Sequence, residues 1–261
     1  MHRAFNLKLS QNDEFPLGSY EAGQRIHVGH KERIATTLAA FVSESGALNA
    51  TKMRDSWFPQ VHADVFISHS HADERTAVSL AGWLKRELDL TAFVDSCVWG
   101  YADDLLRQID DQLCYQRDEG TYSYEKRNGS TSHVHMMLST ALSHMMDACE
   151  CVFFLNTPAS ILPSDVIKAG GGNTTLSPWL YFEIAMTRII RRRDRREYRN
   201  RTQKTAADNL GEALNIQYNL ELNHLFKLDV PSLNGWREAK HRTANEGVHS
   251  LDLLYSLPAL T

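Results

Sequence analysis

The stretch DVFISHSHADERTAVSLAGWLKREL, residues 64–88, contains an apolar run, a polar loop and an amphipathic pattern in close succession. Residues 64–68 hold the short apolar run, which is typical of a strand buried on both faces of a sheet. In residues 74–88 the apolar side chains recur every three or four positions, as on one face of a helix. The stretch therefore predicts a strand, a loop and a helix, the repeating unit of an α/β fold.

Apolar runs alternate with helical patterns through much of the remaining chain. Further strand candidates occupy residues 91–94, 151–155 and 225–228. Helical spacing of apolar residues occurs in residues 105–113, 134–147 and 178–190, and short helices are expected after residue 231. Strands that alternate with helices predict an open parallel sheet flanked by helices.

Two regions lie outside this alternation. Residues 1–27 have no clear period and are predicted to form a loop or a lid, followed by a helix over residues 30–44 and a loop over residues 45–60. The polar, turn-rich residues 115–133 are predicted to be an insertion. We therefore predict an N-terminal extension, residues 1–60, that packs on a core domain formed by residues 61–261.

The composition of the 261-residue chain is that of a globular protein, with 43% apolar and 23% charged residues. The net charge of −4 gives no reason to expect binding to nucleic acid or to an anionic membrane. No run reaches the roughly 20 apolar residues of a membrane span, and the N-terminus lacks the apolar core of a signal peptide. The four cysteines form no CxxC pair. We expect a soluble protein of the reducing cytoplasm.

Glu183 lies in the segment SPWLYFEI, residues 177–184, which is predicted to begin a helix with Ser177 as N-cap and Pro178 as first residue. Apolar side chains at helical spacing form a stripe expected to face the core, made of Trp179, Phe182, Met186, Ile189 and Ile190. Glu183 falls beside this stripe, and no lysine or arginine lies three or four residues away. Such a carboxylate has either a function or a distant partner, and the helix alone leaves both open.

The loops that follow the predicted strands converge with Glu183. Residues 68–73, 95–101 and 156–177 each come after a strand. In an open parallel sheet, ligands bind at the carboxyl ends of the strands. This edge of the sheet, where the Glu183 helix also begins, is therefore the predicted functional site.

Four motifs, in order along the chain, resemble those of TIR (Toll/interleukin-1 receptor) domains. They are the first strand and loop at residues 64–70 with Asp73, the second strand and BB loop from Thr91 to Gly100, the third strand at residues 151–155, and a WxxxE segment at residues 179–183. The resemblance covers residues 61–230, and it is strongest to bacterial antiphage TIR proteins of the Thoeris type. The family implies a flavodoxin-like sheet.

The resemblance implies an NAD⁺ nucleosidase that uses NAD⁺ as a substrate and needs no cofactor. Glu183 matches the catalytic glutamate, which acts at the nicotinamide ribose. The C–N bond breaks through an oxocarbenium-like state, and a carboxylate stabilises the developing positive charge. Nicotinamide leaves as a neutral molecule, so no second acidic residue is required. The second product would be ADP-ribose or a cyclic or conjugated derivative.

The resemblance also implies which residues contact the substrate. Trp179 would flank the nicotinamide ring or the ribose, and the BB loop would supply Asp95, Trp99 and Tyr101. Ser70 and His71 would lie near the phosphates or the ribose, although the arginine that some family members have in this loop is missing. The histidine pairs 69/71 and 133/135 lack the spacing of metal ligands, so no metal site is expected.

TIR proteins often self-associate, and in antiphage systems a separate effector protein senses the product, so both are expected partners here. Residues 188–201 contain eight arginines and are predicted to form a solvated extension of the Glu183 helix, with a partner contact as the alternative. Two other functions remain open. One is that of a non-enzymatic TIR scaffold that signals by homotypic assembly. The other is that of an enzyme similar to nucleoside deoxyribosyltransferases, which use a glutamate nucleophile.

Overall fold

A computed structural model describes residues 1–10, 13–31, 41–42, 48–161, 174–198, 218–219, 221–243 and 247–257. The strands in these residues are β1 (Arg3–Lys8), β2 (Val65–Ser68), β3 (Ala92–Val94), β4 (Tyr115–Gln116), β5 (Thr121–Tyr122), β6 (Cys151–Asn156), β7 (Thr174–Thr175), β8 (Tyr218–Asn219) and β9 (Phe226–Leu228). The helices are α1 (Ser19–Lys31), α2 (Ala50–Trp57), α3 (Glu74–Leu88), α4 (Ser96–Ile109), α5 (Tyr124–Ala148), α6 (Pro178–Ile189), α7 (Val230–Arg242) and α8 (Ser250–Tyr255).

The central sheet has the strand order β3-β2-β6-β1-β9, and every neighbouring pair in it is parallel. The prediction of an α/β fold with an open parallel sheet flanked by helices is therefore confirmed. The side chains of β2 and β3 are all buried, as their uninterrupted apolar runs indicate. Because the strands are parallel, the carboxyl ends of β2, β3 and β6 share one edge of the sheet.

β1 is an internal strand of the sheet, so the prediction that residues 1–27 form a loop or a lid is wrong. It pairs with β6 from Arg3–Cys151 to Lys8–Asn156, and it pairs with β9 on its other side. Polar residues interrupt its apolar run, so the sequence pattern did not indicate a strand. Residues from both sides of the predicted boundary at residue 61 thus share one sheet.

α1 packs against α3 through two glycines that let the backbones touch. A Cβ atom at Gly23 would lie 1.8 Å from the carbonyl oxygen of Val78, and one at Gly82 would lie 1.8 Å from that of Ser19. Neither carbonyl can move without bending its own helix. The crossing of α1 over α3 therefore requires glycine at both positions.

The Gly82→Ala variant is expected to lose about 3 kcal/mol of unfolding free energy, because its methyl group must push α1 away from α3. Urea unfolding followed by circular dichroism measures the loss. Gly235→Ala in α7 is the matched control, since its Cβ atom meets nothing within 4 Å. That change should stabilise the protein by about 0.5–1 kcal/mol. Equal stability of Gly82→Ala and the wild type would contradict the close crossing.

Several predicted boundaries are also wrong. α2 occupies part of the predicted loop 45–60, and the predicted helix 30–44 lies almost wholly outside the described residues. α4 begins at Ser96, so most of the predicted loop 95–101 is helical. A π-helical turn, Asp110–Cys114, follows α4 and leads into the β4–β5 hairpin.

The predicted insertion 115–133 holds this hairpin and the beginning of α5, which starts ten residues before the predicted helix at residue 134. α6 ends at Ile189, so the arginine-rich segment does not extend it. A short 3₁₀ turn at Arg195–Glu197, capped by Asp194, follows instead. Within the described parts of the chain, no helix is long and apolar enough to cross a bilayer.

Candidate active site

Glu183 lies at the centre of the buried face of α6. Ser177 caps the helix as predicted, since its Oγ accepts a hydrogen bond from the Leu180 amide at 3.2 Å. The buried face consists of Leu180, Glu183, Ile184 and Thr187. The predicted apolar stripe is therefore displaced around the helix, and its member Ile189 is 73% exposed.

The displacement follows from polar partners that the apolar spacing does not reveal. The hydroxyl of Thr187 bonds to the carbonyl of Ile184 at 2.6 Å and to Nε2 of His224 at 2.7 Å, so this side chain is buried at little cost. Glu183 is only 1% exposed. Its burial likewise depends on groups from the sheet.

The carboxyl group of Glu183 meets two side chains from the carboxyl ends of β2 and β3. Ser68, the last residue of β2, donates from Oγ to Oε2 of Glu183 at 2.6 Å. Asp95 directly follows β3 and is fully buried, and its carboxyl group lies close enough to that of Glu183 to influence its pKa. Two buried carboxyl groups at close range resist ionising together, because like charges repel where water is excluded.

The pKa values of both acids are displaced in the same direction. Burial raises the pKa of Glu183 well above its usual range, and the neighbouring charge of Asp95 raises this pKa further. Burial also raises the pKa of Asp95, and hydrogen bonds from Glu183 and from backbone amides offset part of this rise. Because each acid influences the pKa of the other, the two groups titrate as a coupled unit.

His69 completes the buried cluster. Its Nδ1 atom contacts Oδ1 of Asp95, and its backbone amide donates to Oδ2 of Asp95 at 3.5 Å. Burial lowers the pKa of His69 from 6.5 to about 4, although the charges of Glu183 and nearby acids oppose this change. The imidazole is therefore neutral at neutral pH.

The neutral state of His69 makes stability depend on pH. The folded protein binds fewer protons than the unfolded chain between the folded pKa of about 4 and the ordinary value of 6.5. The contribution is thus fully present above pH 6.5 and is lost as the pH falls towards 4. When the pH falls from 7 to 4.5, the unfolding free energy of both proteins should decrease. We expect the decrease to be about 2 kcal/mol smaller for His69→Gln than for the wild type. Urea unfolding at both pH values measures this, and equal losses would contradict a buried neutral His69.

Trp99, in the first turn of α4, packs on the outer side of this cluster. Its ring stacks on that of His69 with centroids 5.0 Å apart and on that of His71 with centroids 5.7 Å apart. Of the predicted substrate-binding residues, Trp99 thus contacts His69, which in turn contacts Asp95, and His71 contacts Trp99.

Ser70, a predicted substrate-binding residue, forms a hydrogen bond within the loop that follows β2. Its hydroxyl donates to Oδ2 of Asp73 at 2.5 Å, and the same oxygen accepts from Thr157 Oγ1 at 2.6 Å. Thr157 follows β6, so Asp73 ties the loop after β2 to the loop after β6. Ser70 therefore stabilises the edge of the sheet on which the cluster lies.

The structure does not bring Trp179 and Tyr101 to the cluster. Trp179 packs edge-on against His135 of α5, with centroids 5.6 Å apart, and Tyr101 packs against the hydrophobic core. Ser68 and His69, in contrast, contact the acids but were not predicted as site residues. Ser68 was detectable as a polar residue at the end of a wholly buried strand. In the described ranges, no group of three or more His, Cys, Asp or Glu side chains is suited to a metal ion.

Comparison of the chain with protein families, with curated proteins and with solved structures finds no match. The chemistry of the cluster is nevertheless restricted by its geometry. It combines two buried acids of raised pKa and a neutral imidazole in a site of low dielectric constant. Such a site stabilises positive charge that develops on a substrate, because electrostatic interactions are strongest where water is excluded.

Proposed function

We propose that the protein is a TIR-type enzyme that cleaves NAD⁺ between nicotinamide and ribose, with Glu183 as its catalytic residue. The observation that carries the proposal is the buried Asp95–Glu183 pair at the carboxyl ends of the strands. Ligands bind to open parallel sheets at this edge. Burying two carboxyl groups together costs stability, and such a cost is characteristic of functional sites.

In the proposed reaction the bond between C1′ of the ribose and the pyridinium nitrogen breaks. Its electron pair goes to the ring, and nicotinamide leaves as a neutral molecule. Positive charge then develops on C1′ and the ring oxygen, where the negative charge of the pair stabilises it. Water, or a nucleophile of the substrate itself, attacks C1′ and transfers its proton to the carboxyl pair. ADP-ribose or a cyclic or conjugated derivative results.

Substrate access requires a change at the beginning of α4. Glu183 is 1% exposed, and Trp99 stacks over the neighbouring histidines. In the proposed cycle the first turn of α4, with Trp99, moves to expose Glu183 and admit NAD⁺.

Asp95 has a definable effect on this reaction. Its charge and its hydrogen bond both raise the pKa of Glu183. Replacing Asp95 by Asn removes that charge, so Glu183 should ionise at lower pH and the acidic limb of the kcat profile should move towards lower pH by about one unit. The pH dependence of nicotinamide release measures the displacement. An unchanged profile in an active Asp95→Asn enzyme would show that the pair does not titrate as a unit.

The proposal includes the cellular context that the resemblance implies. Leu176 and Ile189 are exposed at the two ends of α6, by 51% and 73%, and offer an apolar surface for self-association. The buried cysteines Cys114, Cys149 and Cys151 are free thiols, which fits the reducing cytoplasm. The signalling product would act on a separate effector protein in antiphage defence. Nucleic acid and membranes have no part in the proposal.

The alternatives predict different products. A non-enzymatic scaffold gives no turnover, and it has no need of the buried acid pair. A nucleoside deoxyribosyltransferase-like enzyme exchanges bases on deoxynucleosides and leaves NAD⁺ intact. The test is to incubate purified protein with NAD⁺, or with a deoxynucleoside and a second base, at several protein concentrations, and to identify products by chromatography and mass spectrometry. Release of nicotinamide supports the proposal, and base exchange without it selects the alternative enzyme.

A further inference from the structure

A cavity of about 530 Å³ lies between α2, the end of α4 and the first half of α5. Its volume is within the range of about 300–1,000 Å³ that is typical of small-molecule sites. It is separate from the Asp95–Glu183 pair: Trp99 is in the first turn of α4, whereas Ile109, which lines the cavity, ends the same helix. Ten residues of helix separate these two ends by about 15 Å.

The inner wall of the cavity is apolar. It includes Met53 of α2, Ile109 of α4 and Met137 of α5, all of which are buried. Methionine side chains are flexible and polarisable, so they adapt to the shape of an apolar ligand. The wall thus suits an aliphatic or aromatic group.

The outer part of the cavity carries the cationic side chain of Lys126. Lys126 and His133 line it two helical turns apart on α5, and both residues are exposed. Lys126 also lies in the first turn of α5, where the helix dipole adds positive potential. Among the described residues that line the cavity, none has a carboxyl group.

Asp110, which contacts the lining residue Ser130, does not cancel this charge. Asp110 accepts hydrogen bonds from Arg127 Nε at 2.8 Å and from Ser130 Oγ at 2.5 Å. Its charge is therefore compensated by Arg127, and Lys126 remains the cation that faces the cavity. An apolar wall beneath a cationic rim is complementary to a molecule with an apolar body and an anionic head.

We infer that this cavity binds a small amphipathic carboxylate of the fatty-acid class, with its chain against Met53, Ile109 and Met137 and its carboxylate at Lys126. The site goes beyond the proposed NAD⁺ cleavage and does not depend on it. Decanoate is a suitable probe, and decanol, which has the same chain without the charge, is the matched ligand. Isothermal titration calorimetry with the full chain measures both affinities.

Gly129 provides a variant that fills the cavity without disturbing the fold. It lines the cavity, and a Cβ atom there would meet no neighbouring group within 4 Å. Gly129→Leu should therefore fold normally and lose decanoate binding by at least tenfold. Gly235→Leu in α7, where the space is equally open, is the control and should bind as the wild type does. Thermal unfolding verifies that both variants are folded.

Lys126→Gln tests the anionic head separately. It should weaken decanoate binding about fivefold to tenfold and leave decanol binding unchanged, because only the carboxylate loses its partner. Lys52→Gln, an exposed lysine of α2 outside the cavity lining, controls for the general loss of positive charge. Saturable decanoate binding that Gly129→Leu abolishes and Lys126→Gln weakens supports the inference. The absence of saturable binding, or equal affinities of Lys126→Gln and Lys52→Gln, overturns it.

Discussion

Replacing Glu183 by Gln is expected to lower kcat for NAD⁺ cleavage by about 100-fold to 1,000-fold, the usual effect of removing one electrostatic group from an active site. The amide has the shape of the carboxyl group, but it can neither carry negative charge beside the oxocarbenium-like state nor accept the proton of the nucleophile. The fold should tolerate the change. The oxygen of the introduced amide replaces a carboxyl oxygen as acceptor for Ser68, and the amide nitrogen is a donor that faces Asp95.

Stability therefore separates a catalytic role for Glu183 from a structural one. The unfolding free energy of Glu183→Gln should stay within about 1 kcal/mol of the wild-type value, since the amide keeps the hydrogen bond from Ser68 and cannot place a second charge beside Asp95. Urea unfolding and nicotinamide release, measured on the same preparation, give the two quantities. Glu119→Gln, in the exposed turn between β4 and β5, is the matched control and should change neither. A folded Glu183→Gln protein with undiminished turnover would exclude Glu183 as the catalytic residue.

The largest expected effect on stability is that of Phe5→Ala in β1. Phe5 is fully buried, and its ring contacts those of Phe153, Phe226 and Tyr255 at centroid distances of 5.4, 5.9 and 6.3 Å. Removing the ring leaves a cavity in the middle of the sheet, so the unfolding free energy should fall by about 3–5 kcal/mol.

Leu17→Ala is the control for this prediction, because Leu17 is 96% exposed and precedes α1 in the same part of the chain. Its substitution should change stability by no more than about 0.5 kcal/mol. Urea unfolding of both variants gives the comparison. A loss below about 1 kcal/mol for Phe5→Ala would mean that β1 is not an internal strand of the sheet.

The features that were predictable from sequence are those that local pattern determines. β2, β3 and β6 are uninterrupted apolar runs, and such runs are buried whatever their partners. The beginning of α6 was predictable for a similar reason, since Ser177 and Pro178 satisfy the first turn of a helix by themselves. These elements were sufficient to predict the α/β class and the edge of the sheet where the site lies.

The features that were missed depend on contacts distant in sequence. β1 has polar residues among its apolar ones, and only pairing with both β6 and β9 makes it a strand. The orientation of α6 depends on Ser68 and His224, which form hydrogen bonds with its polar side chains. Most of the predicted apolar stripe packs against the core as half-buried side chains, but the fully buried face of that helix is centred on Glu183 and Ile184.

The proximity of Asp95 to Glu183 is another feature that depends on contacts distant in sequence. The sequence predicted that both residues lie at one edge of the sheet, but the NAD⁺ cleavage implied by the resemblance required only one acid. The raised pKa values of the two carboxyl groups follow from their proximity and burial, neither of which has a local signal. A close pair of buried acids is thus the main addition that the structure makes to the candidate site.

The most direct test of the account is the release of nicotinamide from NAD⁺ by purified wild-type protein and by Glu183→Gln, compared at protein concentrations from the micromolar to the hundred-micromolar range. We predict release by the wild type that increases more steeply than protein concentration, because self-association promotes the open state, together with loss of release in the variant. The mass of the second product then identifies hydrolysis, cyclisation or transfer. Equal release by both proteins, or no release by the wild type at any concentration with infected-cell extract added, would contradict the proposed function.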